Sequence, residues 1–174
     1  MGRRWQHISA VGRLADRLAR EVGLPEDVRA AAWLHDVGYA PELASTGFHP
    51  LDGAAYLLRL GAPQEVVGLV AWHTGAAWEA SERGYSQQLA EMPTPEPQWL
   101  DVVTFIDLVT GPDGSVTTPQ RRIEEILSRY DASHAVHRAV QGSAPELLAS
   151  AARARALLGL TDEWPIPAES MSES

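Results

Sequence analysis

A chain of 174 residues with 45% hydrophobic side chains is long enough for one domain with a real core. It contains no cysteine, which excludes a disulfide framework, a zinc–thiolate site, an iron–sulfur cluster and a thiol nucleophile, so any metal must be held by nitrogen and oxygen. The net charge of -9 argues against a nucleic-acid backbone as the main partner, and the 14 basic residues are all arginines, which excludes lysine chemistry while keeping two-pronged phosphate contacts open.

The opening MGRRWQHISA has basic residues with no apolar run behind them, and no stretch offers the ~20 unbroken apolar residues of a membrane span, so a soluble cytoplasmic protein is expected. Apolar residues recur at helical spacing throughout, and strand alternation is nowhere sustained. The first helix is predicted from Trp5 to Val22, stopped by Gly23, and the second starts after Leu24-Pro25, with Glu26 and Asp27 suited to its first turn. Gly38 and Pro41 break the pattern just past His35-Asp36. A third helix is expected from Pro50 to Leu60 and a fourth from Pro63 to about His73. Residues 74–98 read as a long excursion with one short helix, of the kind that forms lids or binding loops. Trp99 to Val109, Pro119 to Tyr130 and Pro145 to Leu158 supply the remaining helices. Residues 1–160 are thus expected to form one all-α unit, with a frayed tail over 161–174.

Ionisable residues interrupt the apolar stripes. His7 shares a face with Val11, Leu14 and Leu18; His35 follows Val28, Ala31 and Ala32; His73 follows Val66, Leu69 and Val70; Asp107 follows Leu100 and Val103. Burying an isolated carboxylate costs several kcal/mol, and Asp36 and Asp107 have no lysine to pair with and no arginine on their stripes. A divalent cation would satisfy both acids and the imidazoles together, with His49 adding one more ligand from a helix start. A single histidine on an apolar face is more often a hydrogen-bonded core residue, but one shared cause accounts for six such residues better than six separate ones. His134 and His137 lie in a polar stretch and read as surface or packing residues. Trp72, Trp78 and Trp99 read as core cover in preference to a stacking surface for a base.

The order His7, His35-Asp36, His49, His73, Asp107 resembles the HD-domain superfamily of metal-dependent phosphohydrolases over roughly residues 4–130. RRWQH is similar to its arginine-x-x-histidine opening, LHDVGY to its histidine-aspartate signature, FHPLDGAAYL to its histidine-proline segment and FIDLVTGPDG to its closing aspartate. The resemblance implies a helical HD-domain bundle with a metal site at its centre, the core at 4–130 and the C-terminal helices added to it. It implies a first metal on His7, His35, Asp36 and Asp107, and a second on His49 and His73 bridged by Asp36, which would also be the catalytic carboxylate. One or two divalent ions (Mn, Fe, Co, Mg or Ni) are compatible with such ligands. AWHTGA is similar to the histidine-threonine segment of HD-type symmetric dinucleoside tetraphosphate hydrolases.

The expected activity is hydrolysis of a phosphomonoester or phosphoanhydride in a small phosphorylated molecule, a nucleotide, with Arg4, Thr74, Thr110 and Arg122 as substrate contacts. An HD-type di-iron oxygenase is the second reading, and a non-catalytic helical ligand-binding module the third. Long nucleic acids and membranes are not expected partners.

Overall fold

The computed structural model describes residues 2–165. Helix α1 (Arg3–Val22) ends where Gly23 turns left-handed, and α2 (Glu26–Leu34) leads through His35 and Asp36 into a 3-10 turn, Val37–Tyr39. Next come α3 (His49–Arg59), with Pro50 in its first turn, and α4 (Gln64–Trp72). Two short helices follow, α5 (Ala76–Arg83) and α6 (Ser86–Ala90), then α7 (Pro97–Leu108), α8 (Pro119–Arg129) and α9 (Ala135–Leu158). No strand occurs among the described residues, where extended pairing amounts to one bridge between Thr110 and Val116, and the fold is all-α as expected.

Helix α2 lies at the centre of the packing, touching α1, α4 and α7, while α3 packs on α4 and α9 packs across α5, α7 and α8. The three apolar stripes that meet there are closed to solvent: Val28, Ala31 and Ala32 from α2, Val67, Leu69 and Val70 from α4, Val102, Val103 and Ile106 from α7. His35, His73 and Asp107 stand at or near the C-terminal ends of these helices, so the core that aligns the helices also gathers the polar ends.

Three expectations are corrected. Residues 74–98 hold two helices, because Gly75 and Gly84, both left-handed, bound α5, and Ala76, Ala80 and Leu89 bury themselves in the core. Pro145 does not start the last helix but lies inside α9, which begins ten residues earlier on a cap in which the His134 side chain accepts from Val136 N–H. An interior proline costs roughly 3 kcal/mol, and burial of Ser143, Leu147, Ser150, Ala151 and Ala154 outweighs it. The predicted tail begins packed: Trp164 is buried with its ring 5.7 Å from that of Phe105, while residues 166–174 lie outside the described residues.

Candidate metal centre

Six side chains from five places in the chain converge in two groups of three. His7, His35 and Asp107 form one, Asp36, His49 and His73 the other, and within each group the ligand atoms lie within 4.8 Å of one another. His7 Nε2 is 3.0 Å from Asp107 Oδ1 and 3.3 Å from His35 Nε2. His49 Nε2 is 3.3 Å from both His73 Nε2 and Asp36 Oδ1. Asp36 Oδ1 also lies 3.7 Å from His35 Nε2, so this carboxylate stands between the groups.

The local backbone sets the imidazoles. His35 Nδ1 donates to Ala32 O at 2.8 Å and His73 Nδ1 to Val70 O at 2.7 Å, each a carbonyl at the end of the helix that carries the histidine. His7 Nδ1 donates to Gly111 O at 3.1 Å, which ties α1 to the loop after α7. These outer bonds select the tautomer in which the Nε2 lone pair points inward. Two acceptor nitrogens then face each other at 3.3 Å, an arrangement that requires a positive charge between or beside them. A divalent cation with nitrogen and oxygen ligands fits that requirement at the first group, and the donor set of Asp36, His49 and His73 suits one at the second.

Electrostatics agree. Burial pushes Asp107 up, but the His7 hydrogen bond and the charges of His7, His35 and Arg122 outweigh it and hold Asp107 well below the carboxylate range. Burial pushes His7 down, but its hydrogen bond and attraction to Asp107 raise it above its ordinary value. Asp36 is likewise lowered, with burial overcome by His35 and by the hydrogen bond from His49. His73, buried and facing two other imidazoles, falls to about 4 and is neutral at physiological pH, as a ligand must be.

Supporting groups surround the six. Thr74 Oγ1 donates to Asp107 Oδ2 at 2.6 Å, leaving Oδ1 toward His7, while Thr74 N–H donates to Thr104 Oγ1 at 3.2 Å. The Tyr39 ring stacks on His49 at 3.9 Å, and the Arg4 guanidinium carbon lies 3.2 Å from the Tyr39 ring centre with a nitrogen 3.5 Å from Asp36 Oδ2. A cavity of about 140 Å³ opens over the centre, with Arg4, Thr74 and Arg122 in its wall. Thr110, expected beside them, is absent from that wall; it is buried and its hydroxyl donates to Ile106 O at 2.8 Å. Trp72, Trp78 and Trp99 do not line the cavity, and Trp72 Nε1 donates to Pro93 O. His134 caps α9 and His137 Nδ1 donates to Tyr130 O, apart from the centre. Tyr39, Glu125 and Arg129 were missed in the sequence; Tyr39 alone carried a signal, one tight turn past Asp36.

The family model described as HD domain matches residues 4–136. No curated protein and no solved structure matches the chain.

Proposed function

The chain belongs to the HD-domain family, and on that footing we propose that it is a metal-dependent phosphohydrolase cleaving a phosphoester or phosphoanhydride bond in a small phosphorylated molecule, a nucleotide. The observation that carries this reading is the pair of opposed Nε2 contacts at 3.3 Å, one in each group, with two acids kept ionised beside them. Divalent ions bound by these six side chains would supply a water acidified toward a pKa of about 7 and positive charge against the phosphoryl oxygens. Asp36, the carboxylate common to both groups, holds the attacking water in place between them. Arg4 and Arg122 grip non-bridging oxygens, and the Tyr39 ring fixes the Arg4 guanidinium for that task.

No helix among the described residues is long and apolar enough to cross a membrane, and we place the reaction in the cytoplasm. A small substrate suits an acidic chain, since a few arginines and the ions need only invert the field locally. The test is elemental analysis of protein purified without chelator, followed by a nucleotide and phosphoester panel with that metal restored. Metal-stimulated phosphate release is expected, and Asp36→Ala should lose metal and activity together; a normal metal content in that variant would refute its role. The division into two ligand groups also suits a di-iron oxygenase, and an oxygen-sensitive, iron-loaded protein that releases no phosphate would establish that reading instead. Tight ligand binding without turnover would establish a binding module.

A further inference from the structure

A second chamber, of about 270 Å³, adjoins the metal centre. It shares His7, Asp36, Arg122 and Arg129 with the first cavity and is walled beyond them by Arg3 and Glu125. With Arg4, four guanidiniums line it against a single carboxylate outside the six-residue centre, in a chain whose net charge is -9. Such local inversion of sign is the signature of an anion site.

Arg122 supplies an independent observation. Its side chain is only 11% exposed, and its Nε is the one buried side-chain polar atom without a hydrogen-bond partner among the described residues. A buried N–H with no acceptor calls for one supplied from outside the chain. Its NH1 is held by Glu125 Oε2, and the same carboxylate accepts from Arg129 through Nε at 3.0 Å and NH2 at 2.6 Å. Glu125 is thus an internal anion gripped by both arginines, standing where an external one would be gripped.

We propose that Arg122 and Arg129 seat a second anionic group of the substrate, beside the one that reacts at the metal centre, so that the substrate is a phosphoanhydride with adjacent phosphates and not a lone phosphomonoester. This rests on the hydrolase reading above. Water oxygen bonds to the reacting phosphorus and the bridging P–O bond breaks. The departing phosphate takes the bonding electron pair and the water's proton on its freed oxygen and leaves from Arg122. Glu125 competes for the same guanidiniums and recloses the clamp when the product departs.

The clamp is tested by calorimetric binding of methylenediphosphonate and methylphosphonate, neither hydrolysable, to the full chain as purified. The diphosphonate should bind tighter by about tenfold or more, as expected for two charge-assisted contacts. Arg122→Gln and Arg129→Gln should each erase that preference, while Arg121→Gln, an equal loss of charge at an exposed neighbouring position, should keep it. Arg129 is 43% exposed, so its variant carries the test should loss of the buried Arg122 impair folding. Glu125→Gln should tighten diphosphonate binding, an outcome opposite to that of a lost structural ion pair. Equal affinity for the two probes, a preference that survives Arg129→Gln, or weaker binding in Glu125→Gln would overturn the clamp. Hydrolysis of monophosphates without any diphosphonate preference would remove the clamp and leave the hydrolase standing. An arginine-dependent preference in a protein that hydrolyses nothing would do the reverse.

Discussion

Thr74 is the one non-glycine residue with positive φ among the described residues, at 41°, a region that a β-branched side chain enters only when its surroundings hold it there. Its two hydrogen bonds, to Asp107 Oδ2 and from its own N–H to Thr104 Oγ1, are that hold. Thr74, in the cavity wall, also steadies a carboxylate of the centre through its hydroxyl. Thr74→Val keeps the shape and removes the donor, and supporting contacts of this kind typically govern 10- to 100-fold in metal affinity. We expect a loss of about that size in a metal-competition titration, with Thr74→Ser close to the parent chain. Equal affinity in all three would separate Thr74 from the site.

Helix α3 is brought to the centre by a close backbone approach. Gly38, in the 3-10 turn after Asp36, lies so near α3 that a Cβ there would sit 2.0 Å from His49 O and 2.6 Å from Gly53 N. Gly38→Ala must therefore push the turn off α3 and part Asp36 from His49, at about 1–3 kcal/mol of stability for the overpacking. Urea unfolding reads the stability, and metal stoichiometry should fall with it; unchanged values in both would mean that the contact is not needed. The loop leading into α3 is held by Asp52, whose carboxylate accepts from Ser45 Oγ, from Thr46 N–H and Oγ1, and from Gly47 N–H. Burial pushes Asp52 up, but these bonds outweigh it and lower it below 3.8. A carboxyl lowered by folding adds stability that is complete above the unfolded value and is lost as pH falls through the folded one. The gap in thermal midpoint between the parent chain and Asp52→Asn should accordingly be constant near neutrality and close below about pH 4. The helical stripes were legible because periodicity needs only neighbours within a turn or two, which is why His7, His35, His73 and Asp107 were placed inward and are buried. Long-range juxtapositions carry no such period. The Gly38–Gly53 approach and the placement of α8's Glu125 and Arg129 beside His7 were therefore outside what the pattern could give, as was the tertiary burial that carries a helix through Pro145.

The packed unit extends beyond the residues that carry the chemistry. Trp164 lies across Phe105, two residues from Asp107, and its Nε1 donates to Glu21 Oε2 at 3.4 Å, so the end of the described chain braces both α7 and α1. Trp164→Ala should cost about 3–5 kcal/mol in chemical denaturation, as buried aromatic truncations do; a change within 0.5 kcal/mol, the range of ordinary surface substitutions, would show the contact to be idle. The centre itself depends on the whole assembly, since α1 brings His7, the stretch after α2 brings His35 and Asp36, and α3, α4 and α7 supply the rest. Yet His35 and His73 are each braced by a carbonyl of the helix that bears them, not by one another. Chelation should therefore leave these rings standing in register, open to whichever divalent cation diffuses in next, so that cellular supply, more than the cage, chooses the occupant.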